Sequence, residues 1–263
     1  MSGREIAMRE LAFAGMTAKV IDDRKFDKFY RKLAAGSWEP ETFAFLSRYL
    51  DKDTVYIDVG SWIGITPTFA SARAKKVIAV EPEPFCVAAI EQVISANGLG
   101  NVTLVPAALS DAAQLDFYLV GGGGSSKTSL VAEKGAESVR VKGVSVEQLK
   151  ALAGEAPYVV KIDIEGFEYF ADSLLAKFSG AKLRAVQLAL HPATLAKSSR
   201  WFWPVSRIQA ARRTARLVND LARSLGSYEV RGYRSLGHYL AAGVVFGKKC
   251  KGTEVVFSRT SPV

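Results

Sequence analysis

A chain of 263 residues with 49% hydrophobic residues can enclose one large α/β core, and no segment reaches the roughly 20 uninterrupted apolar residues that a membrane span requires. The net charge of +9 is concentrated between residues 197 and 234, where nine basic side chains stand against two acidic ones. Such a patch favours an anionic partner, while two cysteines without metal-type spacing and a charged N-terminus favour a cytoplasmic protein without a secretory signal.

The first part of the chain, residues 1–52, is predicted to form an N-terminal helical segment, because aromatic and aliphatic residues recur there at helical spacing. From residue 53 onward, strands and helices alternate. The strands are predicted near 54–59, 76–81 and 101–106, and the helices near 64–74 and 84–97. Repeated βα units of this kind predict a mainly parallel sheet with right-handed crossovers.

The alternation changes near residue 111 and then resumes. Two short strands, near 115–120 and 139–144, flank a glycine-rich loop and form an excursion from the sheet. The resumed elements are a helix at 146–153, a strand at 158–163, a helix at 167–178 and a strand at 183–190. A basic helical insertion at about 193–226 contains a helix at 205–225, and an antiparallel hairpin of strands at 228–230 and 238–246 closes the domain, which we predict to extend over 53–263.

The turn after the first strand of the sheet contains Asp58, Gly60, Ser61 and Gly64. Gly60 allows a backbone turn that a Cβ would block, and Gly64 lets the next helix pack closely. A carboxylate in a pyrophosphate-binding loop would repel the phosphates, whereas S-adenosylmethionine carries an amino group and a sulfonium. Asp58 therefore favours a cationic cofactor over NAD, and the dinucleotide fingerprint is absent. An ordinary tight turn is the competing interpretation.

Two further strand ends carry candidate cofactor contacts. Glu81 ends the next strand, where a carboxylate can accept hydrogen bonds from both ribose hydroxyls, and Pro82 fixes the direction of the chain as it leaves. A solvated loop acid is the alternative for Glu81. Ala107 and Ala108 follow the third strand, and such small residues would leave room for an adenine ring.

The most specific segment runs from Lys161 to Glu168. Asp163 and Glu165 are expected on one side of an extended segment, because strand side chains alternate. Two nearby carboxylates repel each other, so one of them would have a raised pKa and could take a proton from a hydroxyl; alternatively, they could hold a hard cation such as Mg²⁺. Glu168 is interpreted as a helix cap, which suits negative charge.

One of the two histidines, His191, ends the fifth strand and is a second candidate general base, with a loop-orienting role as the alternative. The aromatic residues Trp201, Phe202 and Trp203 precede the arginine-rich helix. They could form a lid over a sugar or acyl chain, rest on an anionic bilayer, or pack in the core.

Together these segments resemble the FkbM family of S-adenosylmethionine-dependent methyltransferases, which have the class I Rossmann-like fold. The similar segments lie between about residues 38 and 192: Trp38-Glu39-Pro40, the turn at 58–64, Glu81-Pro82, Asn97, residues 108–111 and the run from Lys161 to Glu168. The resemblance implies O-methylation of hydroxyls on sugars or secondary metabolites, with Asp58, Gly60 and Glu81 as cofactor contacts. The chain departs from the family at Trp62, where a small polar residue is usual, and at Ala189, two residues before His191, where an acid is expected.

The sequence therefore predicts a methyltransferase that transfers a methyl group to an oxygen of a sugar, glycoconjugate or secondary metabolite. Its expected partner is a small-molecule or glycan substrate with an anionic group, and the arginine-rich segment allows peripheral membrane contact. One rival is an RNA methyltransferase, for which that segment would contact phosphates. Another is a non-catalytic protein of the same fold that binds cofactor or docks on a membrane.

Overall fold

The first described elements of the chain are a β-hairpin and two helices that pack beside the central sheet. This computed structural model describes residues 7–119, 123–125, 137–198, 205–225, 228–231 and 253–259. The first elements are β1 (Met8–Phe13), β2 (Met16–Ile21), α1 (Asp27–Ala34) and α2 (Pro40–Tyr49). The prediction of helices is confirmed for α1 and α2, but it is wrong for residues 8–21.

The N-terminal hairpin forms because its turn and its buried face outweigh local helix propensity. Ala14 and Gly15 both have positive φ, 47° and 77°, which is the backbone that a two-residue hairpin turn requires. Phe13, Val20 and Ile21 are buried against the helices that follow. The segment 8–13 is rich in helix-favouring residues, so only its pairing with β2 makes it a strand.

The central sheet contains the predicted parallel strands. The alternating elements are β3 (Val55–Val59), α3 (Ile65–Ser71), β4 (Lys76–Val80), α4 (Pro84–Asn97) and β5 (Val102–Val105). A three-stranded side sheet follows, with β6 (Ala108–Leu109), β7 (Gln114–Leu119) and β8 (Glu137–Val144) in the order β6-β8-β7. It is the excursion that the sequence predicted, and it packs its own small apolar cluster around Phe117.

The second half of the sheet is built from α5 (Val146–Ala153), β9 (Tyr158–Ile162), α6 (Asp172–Ala176), β10 (Leu183–Leu190), α7 (Pro192–Ser198) and α8 (Val205–Leu225). The predicted helix at 167–178 is broken. Residues Phe167–Phe170 form a 3-10 turn, and α6 begins only after it, because the side chain of Glu168 turns inward and is fully buried.

The last two strands are β11 (Tyr228–Arg231) and β12 (Thr253–Arg259), which pair antiparallel with each other. The predicted strand at 228–230 is therefore confirmed, and its antiparallel partner among the described residues is β12. The segment 238–246, which was predicted to be the partner strand, lies outside the described residues. The complete order is β11-β12-β10-β9-β3-β4-β5, and the five strands from β10 to β5 are parallel. The fold class predicted from the sequence, α/β with a mainly parallel sheet, is confirmed.

The sheet is buried on both faces. Val55, Ile57 and Val59 point to a core shared with α5, α6 and α8, whereas Tyr56 points to a core shared with α2, α3 and α4. This alternation follows the two-residue period of a strand. The carboxyl ends of the strands are left as the accessible edge, and the register aligns Val59 with Val80 and Ile162 there.

Candidate active site

A cavity of about 580 Å³ opens at the carboxyl ends of β3, β4, β5 and β9. Small-molecule sites typically have volumes of roughly 300–1,000 Å³. In the strand order, β4 and β5 lie on one side of β3, whereas β9, which comes later in the chain, lies on the other side of β3. The cavity therefore lies at the point where the strand order reverses. Open α/β sheets bind their ligands at this position.

The turn at 60–64 forms the floor of the cavity and requires glycine at its start. Gly60 has φ of 87°, and a Cβ on it would lie 1.9 Å from the backbone oxygen of Asp163. Ser61 lines the cavity beside it, and both backbone amides donate to the carbonyl of Val80. Gly64 does not line the cavity; it gives α4 room, since its Cβ would lie 3.3 Å from Ile90.

Glu81 is the ribose-binding candidate, and the structure places it in the cavity wall with Pro82. Its Oε2 accepts from the backbone amide of Trp62 at 2.8 Å, and its Oε1 accepts from that of Glu83 at 2.9 Å. Burial raises the pKa of Glu81 to about 8. Each carboxylate oxygen is fixed by one amide and keeps a lone pair for a ribose hydroxyl.

The end of the cavity near β5 is apolar. Ala107 and Ala108 are buried and line it together with Leu109 and Phe117. Trp62 closes the neighbouring wall: its indole N–H donates to the backbone oxygen of Gly124 at 2.9 Å. This end therefore suits a flat aromatic ring such as adenine.

Asp58 does not line the cavity, in contrast to its predicted role as a cofactor contact. Its side chain is fully buried behind the glycine turn, where Oδ2 accepts from Thr66 Oγ1 at 2.6 Å. Burial raises its pKa, although the ammonium of Lys161 opposes this shift. Asp58 lies in a fully buried strand, and the alternation of side chains directs it into the core below the turn.

The predicted catalytic residues Asp163, Glu165 and His191 are brought together. His191 Nε2 lies 3.5 Å from Asp163 Oδ1 and 3.6 Å from Glu165 Oε2. Asp163 and Glu165 line the cavity, and His191 stands beside them with its ring largely buried. The two carboxylates do not converge through strand alternation as expected, because β9 ends at Ile162 and Glu165 has a left-handed φ of 49°.

Glu168 orients His191 instead of serving only as a cap. Its Oε1 accepts from the backbone amide of His191 at 2.7 Å and lies 3.1 Å from Nδ1 of the ring, while Oε2 accepts from the Gly166 amide. An Nδ1–H directed at Glu168 leaves Nε2 as the nitrogen that faces the two cavity carboxylates. Burial alone would lower the pKa of His191, but the three surrounding carboxylates raise it to about 9.

The same three side chains have the composition of a divalent-cation site. One donor atom each from Asp163, Glu165 and His191 lies within 4.8 Å of the other two. However, the ammonium of Lys161 already lies 3.1 Å from Asp163 Oδ2. Although burial opposes it, this neighbour and His191 hold the pKa of Asp163 below its usual value. Positive charge is therefore present at the carboxylates without a metal ion.

Two residues of the site were not identified as functional from the sequence. Lys161 is fully buried between Asp58 and Asp163, and Glu39 lines the cavity from the start of α2. Burial raises the pKa of Glu39 to about 7, against the effect of Lys161. The resemblance included the segment Trp38-Glu39-Pro40 but gave Glu39 no role; the signal that could have indicated one is Pro40, because a proline at the first helical position fixes the entry to α2.

The methyltransferase FkbM domain family matches residues 56–171. This segment of the chain is an FkbM methyltransferase domain. The domain class is S-adenosylmethionine-dependent, as the sequence predicted. Within the cavity, the match includes the glycine turn, Glu81 and the cluster from Lys161 to Glu168, whereas Glu39 and His191 lie outside it.

The chain also resembles individual proteins. It is 35% identical over 60 residues to the uncharacterized protein MJ1452 of Methanocaldococcus jannaschii, and the alignment spans 23% of each chain. Among solved structures, the precorrin-6y C5,15-methyltransferase of Geobacter metallireducens is 11% identical, with 84% of this chain and 89% of that one covered and a TM-score of 0.42. The fibrillarin pre-rRNA processing protein of Methanococcus jannaschii is 10% identical, with 98% and 99% covered and a TM-score of 0.46.

The residues around the cavity of the FkbM domain fit S-adenosylmethionine. The fixed oxygens of Glu81 suit a ribose, and the apolar end at Ala107 and Ala108 suits an adenine. Acidic side chains from β9 and α2 suit the positive charge of the methionine part. Among the described residues, no helix is both long enough and apolar enough to cross a membrane. Trp201, Phe202, Trp203 and His238 lie outside that part of the chain.

Proposed function

We propose that this protein is an S-adenosylmethionine-dependent O-methyltransferase, with His191 as the general base. The observation that carries the proposal is the arrangement of His191 Nε2 between Asp163 and Glu165 at the β9 end of the cavity, with Glu81 at the β4 end. A carboxylate suited to ribose thus lies in the cavity wall, and a group suited to accept a proton stands beside two other residues of that wall.

The reaction needs the acceptor oxygen to be held in line with the transferable methyl group and to lose a proton. When bound, the cofactor supplies that methyl group, and the breaking C–S bond leaves a neutral thioether. The hydroxyl proton goes to Nε2 of His191. Glu168 holds the ring by its opposite nitrogen and stabilises the imidazolium that results. Positioning can lower such a barrier by about 7–11 kcal/mol, and one general base contributes roughly 10²–10⁴-fold.

The acceptor that we propose is a hydroxyl of a sugar, glycoconjugate or secondary metabolite with an anionic group. In support, the cavity rim carries the exposed lysines Lys28 and Lys32, for which the described residues offer no ion-pair partner. Peripheral membrane contact and a cytoplasmic location belong to the same proposal; the buried free thiol of Cys86 agrees with a reducing compartment.

The test is methyl transfer from labelled S-adenosylmethionine to a panel of hydroxylated acceptors, with the parent protein and His191→Asn. We expect turnover to fall about 10²–10⁴-fold in the variant. Binding of S-adenosylhomocysteine should change less than about threefold, because His191 lies at the other end of the cavity from Glu81. Equal turnover in the two proteins would refute the assignment of the base. Transfer only to nitrogen or carbon acceptors would refute O-methylation.

RNA methylation is the second candidate, and the exposed arginines of α8 favour it. Arg212 and Arg216 lie one helical turn apart on the exposed side of that helix. If they contact phosphates, RNA affinity should fall steeply with salt, and Arg212→Ala/Arg216→Ala should reduce the slope. A weak affinity that does not vary with salt would remove this candidate.

A further inference from the structure

Glu39 enters the cavity from the start of α2, not from the sheet. Its backbone is left-handed, with φ 42° and ψ 50°, and Pro40 follows it as the first residue of the helix. A non-glycine residue in this conformation costs on the order of 1–3 kcal/mol, so the surrounding structure must hold it in place. The left-handed turn fixes the carboxylate of Glu39 in the cavity lining, close to Asp163 and Lys161.

The polar cluster around Glu39 contains more carboxyl groups than cationic groups. Lys161 is its buried cation, with Nζ 3.1 Å from Asp163 and 4.0 Å from Asp58. The other acidic members are Glu39 and Glu254, and Thr42 Oγ1 lies 3.2 Å from an oxygen of each. Buried carboxylates are stable as anions only when positive groups balance them. Lys161 and the ring of His191 beside Asp163 are two cationic groups against four carboxyl groups, and burial raises the pKa of Glu39 to about 7, so a further cation in the cavity would favour its ionised form.

Acceptor atoms in the same cluster also lack donors. Asp58 Oδ1 and Gln187 Oε1 are buried without a hydrogen-bond partner in the described part of the chain. Glu39 uses Oε2 to accept from Thr42, and no described residue donates to its Oε1. Of these residues only Glu39 lines the cavity, so a ligand with positive charge and N–H donors would complete its carboxylate there.

We propose that Glu39 binds the α-ammonium group of the methionine part of the cofactor. The assignment rests on the methyltransferase function proposed above. With the ribose at Glu81 and the methyl group directed at Asp163 and His191, the methionine part lies over the glycine turn toward Glu39. A sulfonium has no hydrogen to donate, whereas an ammonium has three, so the ammonium is the group that a carboxylate recognises.

Calorimetric binding of three ligands tests the assignment. S-Adenosylhomocysteine carries the ammonium, its deaminated analogue keeps only the carboxylate, and 5′-methylthioadenosine lacks both. In Glu39→Gln we expect S-adenosylhomocysteine to bind about 10- to 100-fold more weakly, the range of a charge-assisted hydrogen bond. The two ligands without an ammonium should bind within about twofold of the parent. Glu41→Gln, an exposed acid on the same helix, is the matched control and should change nothing.

Two results would overturn the assignment. One is an equal loss of affinity for all three ligands in Glu39→Gln, which would mean that the residue only shapes the cavity. The other is unchanged affinity for S-adenosylhomocysteine. If the Gln variant does not fold, Glu39→Asp keeps the charge and should still distinguish S-adenosylhomocysteine from its deaminated analogue. If the parent binds no adenosyl compound, the methyltransferase proposal itself fails, which is a separate outcome from the first two.

Discussion

The two ends of the cavity hold their carboxylates in different ways. At the β4 end, both oxygens of Glu81 accept hydrogen bonds from backbone amides, which have one geometry and do not titrate. At the β9 end, Asp163 and Glu165 face ionisable side chains, Lys161 and His191. Backbone partners fix a binding group in one position, whereas titratable partners can exchange a proton. This difference supports the proposal that the first end binds the cofactor and the second carries out the chemistry.

The largest effect should come from Gly60→Ala, because Gly60 lies where the two ends meet. The new Cβ would lie 1.9 Å from the backbone oxygen of Asp163, so β3 and β9 would have to separate. We expect a loss of at least about 3 kcal/mol in the free energy of unfolding and no measurable cofactor binding. Gly98→Ala is the control: its φ is 62°, yet a Cβ there meets nothing within 4 Å. Chemical denaturation of both variants measures the difference, and equal losses would contradict this explanation.

The next largest effect separates binding from chemistry. Glu81→Gln replaces one acceptor oxygen for the ribose hydroxyls with an amide donor, so we expect S-adenosylhomocysteine to bind about 10- to 100-fold more weakly. At saturating cofactor, turnover should stay within about threefold of the parent. His191→Asn should show the reverse pattern. If both variants lose turnover at saturating cofactor, the two ends do not have separate roles. Calorimetry and initial rates on the same preparations decide between these results.

A smaller effect is the pH dependence of the β9 end. The carboxylates around His191 raise its folded-state pKa from 6.5 to about 9. Its ion pairs therefore stabilise the fold fully below pH 6.5, and this contribution is lost as pH rises through about 9. Activity should change in the opposite direction, increasing toward pH 9 as Nε2 loses its proton. The parent should thus lose thermal stability between these pH values, and His191→Asn should lose less. Identical pH profiles for the two proteins would contradict the assignment.

The smallest expected effect is that of metal removal. Lys161 already supplies positive charge at Asp163, so we expect chelation with EDTA to leave turnover within about twofold. Mg²⁺ bound by Asp163, Glu165 and His191 is the alternative that this experiment tests. A loss of activity that Mg²⁺ restores would replace the general-base role of His191 with that of a metal ligand.

Local signals in the sequence located most elements of the sheet. Pro84 begins α4 and Gly98 follows it, and these residues marked the helix ends correctly. The hairpin at 8–21 was missed because it depends on the pairing of β1 with β2. For a similar reason, the strand β12 was not predicted: it is selected by its pairing with β10, and β10 is distant in sequence.

The sequence by itself determined the order of strands and helices and the acidic residues at the strand ends, because hydrophobic periodicity and turn residues are local properties. It located Glu81, Asp163, Glu165 and His191 for the same reason. Only the tertiary structure decided what each carboxylate contacts. Asp58 turned out to lie behind the cavity, Glu168 to hold His191, and Glu39 to face Lys161. These contacts join segments that are far apart in the chain, and burial, which sets their charges, exists only once the sheet has formed.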